Sequence, residues 1–389
     1  MQFITAPTIY PINTTPLQNT VIVYDSNGVI IDLVAETDID PLKIKHYEGS
    51  ICPGFVNTHC HLELSFMKDK IAAGQGLHHF IKEVESLKKP NDDEVLQAIE
   101  NADTEMYHNG IVAVGDISNT ANTFAYKVNK SKIYYHNFLE IYAFDETRSD
   151  SAFERGLKLQ ADLREFLDDK IYQQSSITPH APYSASVKLL SLFTEHAKKH
   201  NSMLTIHNQE TEDENLFFLE KKGSILERLK TFNIPTENWQ APGKTSLQAT
   251  LPYLPNKNKL QLVHNTFTNQ ADISFANNYN KNLFWCFCVN ANLYIENKTP
   301  EINLFQKNNC VITLGTDSYA SNWSLSIFDE IKTLHKHFPD IELNQLLTWA
   351  TINGANYLGI QNKFGSIQKG KTPGLNLIST NFKTVTRII

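Results

Sequence analysis

The sequence predicts an α/β fold, a (β/α)8 TIM barrel carrying a small β-sandwich-like domain made from the two ends of the chain. Three observations predict it. From residue 53 onward, short apolar strand-like runs alternate regularly with amphipathic helical stretches. Eight such runs can be counted, the number that closes a parallel barrel. Residues 1–52 and 364–389 instead show short β-rich pieces and turns. A doubly wound sheet remains an alternative, because it presents the same alternation.

In the first 52 residues, Thr20-Val21-Ile22-Val23-Tyr24 and Val29-Ile30-Ile31-Asp32-Leu33-Val34 flank Asp25-Ser26-Asn27-Gly28, a hairpin-like turn. Residues 53–363 are assigned to the barrel, with strands expected at 55–59, 111–116, 133–140, 175–180, 203–207, 260–264, 283–288 and 311–317. Helices are expected around 93–108, 152–167, 186–199, 325–337 and 344–358. The third is the clearest, with Val187, Leu189, Leu190, Leu192 and Phe193 on one face and Lys198, Lys199 and His200 at its end. Residues 232–259, rich in Pro and Asn, read as a long loop and a candidate lid. From Phe364 the chain returns to turn-and-strand character, and Leu375-Asn376-Leu377-Ile378 is expected to pair with the N-terminal strands.

Composition narrows the partners. In 389 residues, 41% are hydrophobic and 20% charged, as in an ordinary globular enzyme. The formal net charge of −7, without a Lys/Arg block, argues against nucleic acid and against an anionic membrane surface. A small-molecule substrate is the expected partner, and a homodimer is left open. No apolar segment approaches a membrane span, and Met1-Gln2-Phe3-Ile4-Thr5-Ala6-Pro7 lacks a basic region followed by an apolar one, so a cytoplasmic protein is expected. Five cysteines without framework spacing fit reduced thiols, and Cys286-x-Cys288 on an apolar run reads as a buried structural pair.

In a barrel of this kind the reactive groups gather where strands end. The first strand ends in His59-Cys60-His61, whose imidazoles, two residues apart, can reach one ion from one face. Later strands end in His207-Asn208-Gln209-Glu210, His264-Asn265 and Gly315-Thr316-Asp317-Ser318. His59, His61, His207 and Asp317 would make a nitrogen-rich site suited to one divalent transition metal, Zn2+ first and Fe2+ second, with room for water. Each residue also has a plainer reading. His207 could be a satisfied core histidine, His264 a strand-end hydrogen-bond donor, Glu210 a solvated helix start and Asp317 an N-cap. Jointly these readings weaken, since ionisable groups then terminate many apolar strands by coincidence.

The series Pro53-Gly54-Phe55-Val56-Asn57-Thr58-His59-Cys60-His61, Pro179-His180-Ala181-Pro182-Tyr183, His207-Asn208-Gln209-Glu210, His264, Leu314-Gly315-Thr316-Asp317-Ser318 and Ala350-Thr351-Ile352-Asn353-Gly354-Ala355 resembles the amidohydrolase superfamily. The nearest branch contains adenosine-type, S-adenosylhomocysteine and aminofutalosine deaminases and the chlorohydrolases. The resemblance covers essentially the whole chain. It implies His59, His61, His207 and Asp317 as ligands of one metal, Glu210 as proton shuttle and His264 as partner of the attacking water. Binuclear members carry a carboxylated lysine on the fourth strand; Ser175-Ser176-Ile177-Thr178-Pro179-His180 has none, which implies a mononuclear site.

The chemistry follows from these groups. A divalent metal brings the pKa of a bound water toward neutrality. Asp317 can take its proton, His264 can orient the oxygen, and Glu210 can protonate a ring nitrogen and then the departing amine. Hydrolytic deamination of an amino-substituted heterocycle or nucleoside is therefore the expected reaction. A related hydrolase of another C–N or C–halogen bond is one alternative, and a catalytically inert scaffold is the other. The substrate contacts implied by the resemblance are Glu63, in His61-Leu62-Glu63-Leu64-Ser65, and His180. Glu63 could equally form a salt bridge near the barrel rim, and His180 could be a hydrogen-bond donor at a helix start. His78 and His79 could line the site or lie on an exposed helix face.

Overall fold

The computed structural model describes residues 1–166 and 175–389. The eight expected strands form: β1 (Phe55–Cys60), β2 (Ile111–Ser118), β3 (Tyr134–Ile141), β4 (Ser175–Pro179), β5 (Leu204–Asn208), β6 (Leu260–His264), β7 (Leu283–Phe287) and β8 (Ile312–Leu314). They make two four-stranded parallel sheets, β1 to β4 and β5 to β8, each in sequence order. All eight are almost wholly buried, which is why they read as continuous apolar runs rather than alternating ones.

The sheets meet along both outer edges. On one side the backbone amides of Thr316 and Asp317 donate to the His59 carbonyl at 3.0 and 3.1 Å, and Cys60 bridges Asp317 in parallel. On the other, the His207 amide donates to the His180 carbonyl at 2.9 Å, and Thr178 Oγ1 accepts from the Thr205 amide at 3.0 Å. Between them a polar layer crosses the interior. Thr58 Oγ1 donates to Thr313 Oγ1, Thr313 Oγ1 donates to Gln261 Oε1, and Gln261 Nε2 donates to the Thr58 carbonyl.

Helices lie where the apolar periodicity placed them. Asp92–His108 begins at Asn91, which closes a capping box with Glu94. Val187–His200 is capped by Ser186 and ends at Asn201, in the left-handed region. Ser149–Phe166 starts three residues earlier than expected, and Leu167, the expected last residue, lies outside the described residues. Ile327–His337 matches the fourth expected helix. The fifth is one run in three parts, Leu343–Thr348, a π-helical Trp349–Asn353 and Gly354–Leu358. Among the described residues no helix is long and apolar enough to cross a membrane.

The reading of 232–259 as a long loop needs correction. Ser246–Thr250 is helical and continues into the 3-10 turn Leu251–Tyr253. Thr245 caps it while also donating to Asp272, and Leu247 and Leu251 are buried. Their burial fixes a segment whose Pro and Asn content alone suggests irregularity.

The chain ends build two small sheets. Ile30–Ala35, Thr20–Tyr24, Gln2–Thr5 and Ile44–His46 form one; Val385–Arg387, Leu375–Ile378, Ser50–Pro53 and Thr8–Ile9 form the other. The turn between Thr20–Tyr24 and Ile30–Ala35 uses Gly28 at φ +76°, the left-handed conformation that favours glycine. Ile4, Ile22 and Ile30 of the first sheet pack against Ile9, Ile51 and Leu375 of the second. As the tail pattern predicts, Leu375–Ile378 pairs antiparallel with Ser50–Pro53.

Helix Ile327–His337 also buries Glu330, whose carboxylate accepts from the Asn290 amide and from Asn322 Nδ2, both at 3.0 Å. Burial pushes its pKa from 4.5 up to about 8, against the pull of those hydrogen bonds. Between these two values the folded chain holds a proton that the unfolded chain has lost, so stability falls as pH rises through that window. Glu330→Gln is expected to remove about 1.4 kcal/mol per pH unit from that slope, read from urea unfolding at pH 5 to 8.

Candidate active site and metal centre

A single extra residue in β1 sets up the site. Opposite Val114 to Asp116 of β2, three steps in β1 (Asn57 to Cys60) match two, which is a β-bulge. Thr58 therefore faces Thr313 and Gln261 across the interior, while Asn57 and Cys60 face outward, toward Met106 and the apolar layer under the helices. His59, next to Thr58, turns inward as well, and His61 joins it. Gly315 makes room: a Cβ there would come within 2.8 Å of His59 Cβ and of Cys288 Sγ.

The imidazoles from β1, β5 and β6 then converge with the carboxylate that follows β8. His59 Nε2 and His61 Nε2 are 3.2 Å apart, and His207 Nε2 is 3.3 Å from His61 Nε2. Asp317 Oδ1 lies 3.6 Å from His59 Nε2 and 3.3 Å from His61 Nε2. His264 groups with His59 and His207, with ligand atoms within 4.8 Å of one another. All are buried. Asp317 is not an N-cap, and its second oxygen accepts from Ser321 Oγ at 2.6 Å.

The outer ring nitrogens fix which nitrogen faces the centre. His207 Nδ1 donates to the His180 carbonyl at 2.8 Å, and His264 Nδ1 donates to Asn292 Oδ1 at 3.2 Å. Each Nε2 is left as a lone pair pointing inward. Burial holds His61 down at about 3, although Asp317 pulls the other way, and burial together with neighbouring imidazoles holds His207 well below the usual range. Burial raises Asp317, but His59 beside it and the other surrounding imidazoles outweigh that and hold its pKa well below the usual carboxylate range. Imidazole nitrogens 3.2 to 3.3 Å apart, with the Asp317 oxygen 3.3 to 3.6 Å from two of them, are spaced as donors around one cation would be. The donor set, neutral nitrogens with one carboxylate, is that of a Zn2+ or Fe2+ site.

Beside this centre, Glu210 Oε1 is 3.5 Å from His264 Nε2. Burial, then the charges of Asp317 and Glu296, push the Glu210 pKa well above the carboxylate range. Its position is held by Glu214, whose oxygens accept from the Gln209 amide at 2.9 Å and the Glu210 amide at 3.4 Å. Gln209 (φ 46°), His264 (72°), Asn265 (57°) and Asp317 (59°) all adopt left-handed backbone. Such residues cost about 1–3 kcal/mol each and persist only where surrounding bonds hold them.

The two expected substrate contacts are placed differently. His180 is half-buried beside His207, with Nδ1 2.8 Å from Ser184 Oγ at the start of the turn Pro182–Ser184. Glu63 is buried, and its carboxylate accepts from the Asn119 and Thr120 amides, each at 3.1 Å, and from Thr120 Oγ1 at 2.9 Å. His78 is exposed on helix Leu77–Ser86, and His79 pairs with Glu83 at 3.8 Å. Cys286 and Cys288 are buried free thiols.

Three residues that sequence reasoning passed over also shape the site. Glu140 ends β3, and its Oε1 lies 3.5 Å from His207 Nδ1. Asp116, on β2, accepts from the Leu62 amide at 2.8 Å and pairs with buried Lys127. Asn292 comes from helix Val289–Glu296. Glu140 and Asp116 share the signal used for the others, a carboxylate near the end of an apolar strand. Asn292 has no such signal, because a helix packed behind the site delivers it.

Residues 50–388 match the Amidohydrolase family. The chain belongs to the amidohydrolase family. As a member it is a hydrolase acting on carbon–nitrogen bonds. The amidohydrolase is 26% identical over 369 residues to the 5'-deoxyadenosine deaminase of Methanococcus aeolicus, covering 90% of this chain and 79% of that one. It is 24% identical over 386 residues to the aminodeoxyfutalosine deaminase of Nitratiruptor sp., covering 94% and 88%. Among solved structures, Helicobacter pylori aminofutalosine deaminase in complex with methylthio-coformycin superposes with a TM-score of 0.79 at 22% identity, covering 98% of this chain and 93% of that one. Atrazine chlorohydrolase from Arthrobacter aurescens complexed with zinc gives 0.76 at 15% identity, covering 97% and 86%.

Removing one imidazole should expose the dependence on a cation. His207→Ala is expected to retain less than a tenth of an equivalent of zinc after dialysis, read by elemental analysis, with far-UV circular dichroism unchanged. Adding zinc to the metal-free wild-type chain should raise its melting temperature, and the variant's should not move.

Proposed function

We propose that this amidohydrolase is a metal-dependent hydrolytic deaminase of an adenosine-like nucleoside, releasing ammonia from the amidine carbon of the base. The observation that carries this reading is buried Glu210 set 3.5 Å from His264, beside a converged group of imidazoles and Asp317. His59, His61, His207 and Asp317 would hold one divalent metal, and the lack of lysine in β4 supports a single ion. The zinc in the chlorohydrolase structure favours Zn2+ over Fe2+. When bound, the metal supplies the Lewis acidity that makes water a nucleophile near neutral pH.

The chain's own residues then divide the proton work. Asp317, ionised in the buried site, accepts a proton from the attacking water. His264, with its ring fixed by Asn292, presents Nε2 to the incoming oxygen. Glu210 gives its proton to a ring nitrogen as the carbon becomes tetrahedral, takes one back from the intermediate's hydroxyl as that becomes the carbonyl, and passes it to the amine, which leaves as ammonia as the C–N bond breaks; the proton that Asp317 took from water then restores Glu210. His180 contacts the base from the β4 side. Glu63 contributes through the 119–120 loop that its carboxylate fastens. The convergence of all five groups supports an enzyme over an inert scaffold.

The same reading includes the architecture. Bonding along both sheet edges, together with the family match and the TM-scores, supports closure of β1 to β8 into a (β/α)8 barrel. Residues 53–363 form it, and 1–52 with 364–389 form the small β-domain, whose two packed sheets support a sandwich.

Ammonia release across 5'-deoxyadenosine, adenosine, methylthioadenosine, S-adenosylhomocysteine and aminodeoxyfutalosine tests the reading, and no release from any of them by zinc-loaded protein would refute it. Glu210→Gln is expected to keep a full equivalent of zinc while kcat falls about 10²–10⁴-fold. Asp317→Asn should lose zinc affinity and turnover together. The wild-type rate should decline on the alkaline side, because Glu210 acts as an acid only below its raised pKa.

A further inference from the structure

Glu140 has one oxygen in use and one without a partner. Oε2 accepts from Asn119 Nδ2 at 3.0 Å, and the same amide donates to the Glu140 carbonyl at 3.2 Å. Asn119 is itself fixed, because its backbone amide donates to Glu63 Oε1. Oε1 is buried, makes no hydrogen bond, and faces His207 Nδ1 at 3.5 Å. The Glu140 side chain is 4% exposed and that of His207 is 8%, so water does not supply the missing partner freely.

A buried, unpartnered carboxylate oxygen beside the outer nitrogen of an imidazole has a specific use. An imidazole that gives Nε2 to a metal keeps its proton on Nδ1, and a carboxylate facing that N–H orients the ring and makes it a stronger donor. His207 Nδ1 already donates to the His180 carbonyl, which sets the tautomer but adds no charge. Glu140 presents its free oxygen to the same nitrogen, and the chain Glu63, Asn119, Glu140, His207 ties the loop after β2 to the imidazole on β5.

We propose that Glu140 is a positioning residue that strengthens His207 as a metal ligand, an inference that rests on the metal site of the proposed function. Ligand atoms of Glu140, His180 and His207 also lie within 4.8 Å of one another, so a second ion there is the competing assignment.

The test is zinc affinity of the full-length, metal-free protein, measured by competition with a chromophoric chelator, together with the stoichiometry. Glu140→Gln keeps an oxygen for Asn119 but turns an amide N–H toward His207 Nδ1. It is expected to bind one equivalent of zinc about 10–100-fold more weakly than wild type. The metal-free melting temperature should stay close to wild type while the zinc-induced rise shrinks, a split that a purely structural role would not give. Asn119→Ala, which frees the carboxylate without removing it, should weaken zinc binding in the same direction and serves as the test where Glu140→Gln does not fold. Unchanged zinc affinity in the folded variant would overturn the proposal. So would uptake of two equivalents by wild type and one by Glu140→Gln, which would make Glu140 a ligand. A wild-type chain that binds no zinc overturns the proposed function itself, and this inference with it.

Discussion

One extra residue in the first strand governs how the rest of the site can assemble. Without the bulge at Asn57 to Cys60, strand alternation would put Thr58 inside and His59 on the helix side, away from His207 and His264. With it, two consecutive residues face inward, and His61 follows. The same stretch is the edge where the two sheets meet, through amides of Thr316 and Asp317 donated to the His59 carbonyl. The imidazole pair at the end of β1 and the carboxylate after β8 are thus fixed by the same backbone bonds that join the sheets.

Around that edge the protein concentrates strain and buried polarity. Gln209, His264, Asn265 and Asp317 take left-handed backbone at the ends of three different strands. Each is held by buried partners: Glu214 for the turn at Gln209, Asn292 for His264, and Ser321 for the Asp317 carboxylate. The carboxylates meet different fates according to their neighbours. Asp317, among imidazoles, has its pKa held well below the usual carboxylate range, whereas burial, then Asp317 and Glu296, push that of Glu210 well above it. Two acidic side chains in one site are therefore shifted in opposite directions.

Much of this was legible in the residues. The strand positions, the five converging groups and the pairing of Leu375–Ile378 with the N-terminal part all follow from apolar periodicity and from polar residues at strand ends. What was not legible depends on register and on tertiary packing. The bulge in β1 leaves no mark in Phe55-Val56-Asn57-Thr58-His59, since every residue there is buried whichever way it points. Asn292 arrives from a helix whose sequence reads as ordinary. The helix Ser246–Thr250 is hidden in a segment rich in Pro and Asn, because it depends on Leu247 and Leu251 finding a buried surface. Glu140 was visible by the same rule that selected Glu210 and Asp317. Nothing in the linear pattern separates a carboxylate that anchors a loop from one that faces a ligand.

The antiparallel pairing of Ser50–Pro53 with Leu375–Ile378 joins segments more than three hundred residues apart, and Ser50–Pro53 runs almost directly into β1. During synthesis, the strand that leads into the first two imidazoles must wait for residues more than three hundred positions later before this partner exists. Until then its edge stays open to other chains. Pairing of this strand is in this way deferred until the whole intervening barrel has been made, which places the hazard of premature aggregation early.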